Sequence, residues 1–291
     1  MKKLVCLMMI CLLLPLHAAA SETPKAPARV VSLSGSYAEA WVEAGGTLVG
    51  ATEDAVSERA MNLGEGVQII GTVKTPNLEA ILDLEPDLVI YSLDVVEHVR
   101  FIETLEKMGI RCQGFEVTTY REYMDMMRAL CDLTGRDDLY ARLVSEVAEP
   151  IEALIASAKT DPRFGTRTAL ILRAYSTGVK AKGSDNLAGA MLRDMGLINI
   201  ADGEGTLQEN LSLEAIIEAD PDYIFTVTMG SDDAKAMASL ASLLTDNPAW
   251  NTLTAVKEGR YVLLNKKLFH YKPNAHWAES YQTLYALLYA S

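Results

Sequence analysis

The chain of 291 residues carries 39 acidic against 26 basic side chains, a formal charge of −13, with 49% hydrophobic and 22% charged residues. That balance suits a packed globule rather than a disordered chain, and its acidity argues against nucleic acid or an anionic membrane surface as a partner. The length allows one large domain or two of ordinary size.

Lys2 and Lys3, the apolar run from Leu4 to Leu16 and the small residues Ala18, Ala19 and Ala20 read as a secretory signal peptide over residues 1–20. The run is short of the roughly 20 residues that a spanning helix needs, so the mature chain is expected to be soluble. Cys11 lies inside that run behind Met8, Met9 and Ile10 rather than behind a small residue, so a lipid anchor is not expected. A freely diffusing exported protein is best retained in a periplasm. Removal of residues 1–20 takes away two lysines and no acids, leaving 24 basic against 39 acidic residues, a balance of −15. Such a surface would be steered toward a basic partner. Cys112 and Cys131 remain, and the sequence leaves open whether they form a bridge or serve as two small core hydrophobes.

From residue 28 onward, strand and helix patterns alternate. Val30 to Leu33 reads as a strand and Tyr37 to Ala44 as a helix; Thr168 to Leu172 and Leu187 to Met195 repeat the pair later. The segment Asn77–Ser92 (NLEAILDLEPDLVIYS) recurs without a gap as Ser212–Val227 (SLEAIIEADPDYIFTV), 135 residues further on. Each copy has a polar cap, a short amphipathic helix, a Pro-Asp stop and an apolar strand, and a period that long means two similar units. Between them, Leu139, Leu143, Val147, Ile151, Leu154 and Ile155 fall at helical spacing. The pattern predicts an α/β protein with mostly parallel sheets: an N-terminal lobe over 28–135, a single long helix over 137–159 and a C-terminal lobe over 164–291, with a ligand cleft between the lobes.

Ligands of open α/β sheets bind beyond the carboxyl ends of the strands. The loops to watch are therefore Ser34 to Tyr37, Gly71 to Pro76, Arg173 to Gly178, Thr228 to Ser231 and Lys266 to Asn274. They supply Ser36, Tyr37, Lys74, Thr75, Arg173, Tyr175, Met229, His270 and Tyr271 as candidate ligand contacts. Arg173 and Lys74 suit an anionic ligand, whereas the tyrosines, Met229 and His270 suit a planar tetrapyrrole. Trp41, Trp250 and Trp277 are assigned to core packing. His98, His270 and His276 supply no convergent set for bare zinc or manganese. An oxyanion held by backbone amides at helix N-termini stays open, since it leaves no side-chain pattern. Ser34-Gly35-Ser36 lacks a nucleophile elbow and no phosphate-cradling glycine motif occurs, so an enzyme is not expected.

The ordered segments Arg29 to Ser34 with Glu39, Ala44 to Gly50, Ile70-Gly71 before Asn77 to Ile81, Glu85 to Ile90, Asn199 to Asp202, Leu213-Glu214 with Asp220 to Asp222, and Asn247 to Trp250 together resemble the helical-backbone class of periplasmic binding proteins. These serve ABC importers of ferric siderophores, haem and cobalamin. The resemblance covers essentially the whole mature chain. It implies capture of a small ligand by a stiff, mostly preformed cleft in a monomer without a cofactor of its own. It further implies docking on a permease dimer through one acid on each lobe, at the positions of Glu79 and Glu214. An extracytoplasmic ligand sensor of the same fold is the rival reading.

Overall fold

The computed structural model describes residues 26–203, 207–209, 211–230 and 232–290, so the expected signal peptide lies outside the described residues. Val30–Ser32 (β1), Leu48–Ala51 (β2), Gln68–Ile69 (β3), Leu88–Ser92 (β4) and Arg111–Phe115 (β5) form a parallel sheet in the order β3-β2-β1-β4-β5. Helices Gly35–Glu43 (α1), Asp54–Ser57 (α2), Leu78–Asp83 (α3) and Val96–Lys107 (α4) make its crossovers. The strand order reverses direction at β1, which sets the topological switch point between the carboxyl ends of β1 and β4.

Tyr120–Thr134 (α5) leads to a helix running from Asp137 to Ala158: Asp137–Leu143 (α6), one π turn at Val144–Ala148 and Glu149–Ala158 (α7). The π turn has a local cause in Pro150, which lacks an N–H and whose ring would strike the carbonyl of Glu146 in a regular helix. Beyond it, Thr168–Tyr175 (β6), Gly178–Lys182 (β7), Ile198–Asn199 (β8), Tyr223–Thr228 (β9) and Tyr261–Leu263 (β10) build a mixed sheet. Strands β10, β9 and β6 are parallel, with β7 antiparallel on the free edge of β6. Leu187–Asp194 (α8), Leu213–Ala219 (α9), Asp233–Leu240 (α10), Thr254–Lys257 (α11), Lys266–Phe269 (α12) and Trp277–Tyr289 (α13) complete the chain.

The two copies of the sequence repeat occupy equivalent places. Asn77 and Ser212 cap α3 and α9 by accepting from Ala80 N and Ala215 N, each at 3.1 Å. Both helices end on a left-handed residue before proline, Glu85 at φ 42° and Asp220 at φ 36°. The following aspartates tie down the first strand of each lobe: Asp87 accepts from Ala28 N and Arg29 N, and Asp222 from Thr168 N and its hydroxyl.

One large core joins the facing sides of the two sheets. It runs from Val30, Leu88 and Ile90 through Leu143, Val147, Ile151 and Ile155 of the long helix to Ile171, Phe225 and Trp277. Trp41 and Trp277 are fully buried and Trp250 nearly so, as assigned. Cys112 and Cys131 are both free thiols. Cys112 packs on the outer face of the first sheet with Val31 and Val89, and Cys131 on the inner face with Val30 and Ile90, so the sheet itself separates them.

Candidate ligand-binding cleft

On the N-terminal side the carboxyl ends of the strands are largely filled by the chain's own groups. Asp54 accepts from Gly35 N at 2.7 Å and from the Thr52 hydroxyl at 2.5 Å, so a carboxylate already caps the start of α1. Gly35 is required here, because a Cβ would lie 2.5 Å from Ala55 N. Tyr37, expected as a ligand contact, is fully buried and donates its hydroxyl to Phe115 O at 3.0 Å. It packs edge-on against Phe115, and with no exposed surface it presents no open face to the cleft. Ser36 is half-buried, and its carbonyl accepts from Asn274 Nδ2 at 2.8 Å.

Lys74 and Thr75 stand exposed on a tightly held loop. The Thr72 and Thr75 hydroxyls bond at 2.8 Å, and Asn77 N donates to Ile70 O at 2.8 Å. Gly71, at φ 101°, has no room for a Cβ against Thr75 O. Fully buried His98 pins the same loop, with Nδ1 accepting from Ser92 N at 3.2 Å and Nε2 donating to Val73 O at 2.7 Å. Burial holds its pKa below the ordinary histidine value, which keeps the Nδ1 acceptor available.

The C-terminal wall has a different character. Arg173 and Tyr175 point to one face of β6, and the antiparallel register sets Lys180 opposite Arg173 and Lys182 opposite Ile171 on that same face. Arg173 Nε is buried without a partner. Among the described residues no carboxylate pairs with Arg173, Lys180 or Lys182. Lys266, by contrast, is bound to Asp233 Oδ1 at 2.7 Å and Gly230 O at 3.1 Å. His270 lies against this cluster with its Nδ1 buried and unpartnered. Burial, then the charges of Arg173, Lys266 and Lys182, push its pKa down to about 4. Tyr271 packs beside it, with ring centroids 5.3 Å apart. Met229 is half-buried at the end of β9, its N–H donating to Ala174 O. A cavity of about 380 Å³ opens at Tyr175, Thr177, Gly178, Val179 and Lys180.

The structure thus gathers Arg173, Tyr175, His270 and Tyr271 on one wall and places Lys74 and Thr75 on a separate N-terminal loop. Sequence reading missed Lys180 and Lys182. Their signal was the alternation Val179-Lys180-Ala181-Lys182 just after Gly178, a two-residue period with one basic face.

The model for a periplasmic binding protein family matches residues 30–268. The chain belongs to that family. It is 28% identical over 245 residues to the Fe(3+)-citrate-binding protein YfmC of Bacillus subtilis, covering 82% of this chain and 73% of that protein. It is 24% identical to the probable siderophore-binding lipoprotein YfiY of the same organism, covering 81% and 74%. The crystal structure of the periplasmic vitamin B12 binding protein BtuF of Vibrio cholerae superposes with a TM-score of 0.73 at 20% identity, covering 91% of this chain and 98% of that one. The family makes this chain the substrate-binding protein of a transport system rather than an enzyme. Among the described residues no helix is long and apolar enough to cross a membrane.

Proposed function

We propose that the protein captures a carboxylate-rich ferric chelate in the periplasm and delivers it to an ABC permease through Glu79 and Glu214. The observation that carries the ligand class is the cross-strand pair Arg173 and Lys180, with Lys182 beside it and no acid matched to them among the described residues. Like charges directly opposite each other destabilise a sheet, so a chain with a large acid excess gains from this arrangement only when an anion neutralises it. The ferric-citrate and siderophore names of curated relatives point the same way.

Haem or cobalamin is less well supported, because Tyr37 and all three tryptophans are buried and the wall offers Tyr175 and Tyr271 as its aromatic surfaces. A bare oxyanion is also less well served, since Asp54 already occupies the start of α1 and Asp232 caps α10.

Titration of the mature protein with ferric citrate, ferric siderophores, haem and cobalamin, read by intrinsic fluorescence, tests the assignment. Ferric citrate or another anionic ferric chelate should saturate the protein. Arg173→Ala should weaken that binding by about 1 to 3 kcal/mol, roughly fivefold to 150-fold, as expected for a lost charge-assisted bond. Saturation by cobalamin or haem alone would remove the anionic chelate from consideration, and wild-type affinity in the variant would remove Arg173 from the site.

A further inference from the structure

Residues 270–276 leave the C-terminal lobe after α12 and cross to the N-terminal lobe before α13 begins. Their side chains and carbonyls make a set of polar contacts there. Lys272 Nζ donates to Asp94 Oδ2 at 2.9 Å and to Val117 O at 2.8 Å, and lies 5.6 Å from the centre of the Tyr37 ring. Asp94 follows β4, Val117 follows β5 and Tyr37 lies in the first turn of α1, so the ammonium sits where the N-terminal sheet would otherwise receive a ligand. Arg59 Nη1 donates to Lys272 O at 2.9 Å while its guanidinium also pairs with Glu39. Asn274 Nδ2 donates to Ser36 O at 2.8 Å and Glu39 Oε2 at 2.6 Å. Asn274 is fully buried at φ 51°, a left-handed conformation that asparagine tolerates better than most residues.

The same seven residues carry His270 and Tyr271 at the cationic wall. A displacement of Lys272 therefore moves the wall's own side chains, two peptide units away at most. The Lys272 side chain is 18% exposed and that of Asp94 37%, so the pair is shielded enough from water to hold one geometry.

We propose that Lys272 is a positioning residue, an inter-lobe latch whose ammonium plugs the switch point of the N-terminal sheet and so fixes the width of the cleft and the placement of His270 and Tyr271. The latch rests on the reading that the wall of Arg173, Lys180 and Lys182 binds the ligand, but its geometric part is independent of any ligand. It also accounts for the one-sided cleft: the N-terminal switch point is occupied by the protein's own cation, and an incoming anion is left to the C-terminal wall.

Spin labels on Glu97→Cys and Lys235→Cys, in a Cys112→Ser, Cys131→Ala background of the mature chain, report the inter-lobe distance without ligand. The parent should give one narrow distribution. Lys272→Met, which keeps the aliphatic stem, should broaden it and weaken ferric citrate binding about tenfold, and Lys272→Arg should restore both. Should Lys272→Met fail to fold, Asp94→Asn removes the counter-charge from the other side and should broaden the same distribution. A distribution as narrow as the parent's in the folded variants overturns the latch. A broadened distribution with unchanged ferric citrate affinity overturns the positioning of the wall. Absence of ferric citrate binding in the parent, with the distance response intact, would instead sink the ligand assignment and leave the latch standing.

Discussion

His270 shows how the cationic wall acts on a single side chain. Its folded-state pKa of about 4 lies below the ordinary 6.5, so the folded protein binds fewer protons than the unfolded chain between those values. Stability from the neutral imidazole is therefore complete above pH 6.5 and is lost as pH falls toward 4. The loss is on the order of 3 kcal/mol. Thermal melts of the ligand-free protein between pH 7 and 4.5 should show this slope, and His270→Asn, which cannot take up the proton, should flatten it; identical slopes would mean that His270 is not held neutral by its neighbours. Single residues were unevenly legible in the sequence. Arg173 and Tyr175 could be placed at the end of β6 because strand ends can be read from apolar runs. Tyr37 was misplaced because it falls at a strand-to-helix turn, although its spacing to Ala40, Trp41 and Ala44 matches a buried helical face. Lys272 and Asn274 gave no signal of their own, since what distinguishes them is contact with residues more than 150 positions away.

Elements were easier to read than residues, because periodicity averages over many side chains. The repeat placed α3 with β4 and α9 with β9, and the helix from Asp137 to Ala158 followed from its apolar spacing. The π turn inside that helix was not anticipated. Yet Leu143, Val147, Ile151 and Ile155 recur every fourth residue, a spacing that would drift around a regular helix, and the wider turn keeps all four in one core. Pro150 was the visible mark of it. The paired caps allow a test at this scale: Asn77→Ala and Ser212→Ala each remove the side-chain acceptor for one helix-start amide and should each cost about 1 kcal/mol. Because the caps lie in separate lobes with no shared partner, denaturant unfolding of the double variant should show the sum if the molecule unfolds as a unit. A cost below a few tenths of a kcal/mol at both sites would mean that neither cap matters to its helix.

At the scale of the whole molecule, the fold was legible and the ligand was not. One architecture holds this chain and the vitamin B12 binder, so the order of elements does not by itself fix the ligand. What the architecture does specify is a pair of equivalent positions. Glu79 and Glu214 both stand exposed in the first turns of α3 and α9, the two copies of the repeat. A helix start favours an acid by its dipole alone, which would explain the residue type but requires nothing of the opposite lobe. A basic permease surface would use both acids together, since two separated charges fix orientation as well as attraction. The reversals Glu79→Lys and Glu214→Lys separate these roles. If the acids only serve their helices, each reversal should cost a few tenths of a kcal/mol of stability and leave uptake of the labelled ferric chelate unchanged. If they dock, ferric citrate affinity of the purified double variant should stay within about twofold of the parent, because the proposed wall lies on β6 and β7. Uptake by cells carrying it should then fall to the level of a strain lacking the protein, and each single reversal should fall between. Unchanged uptake in the double variant would remove both glutamates from the docking surface.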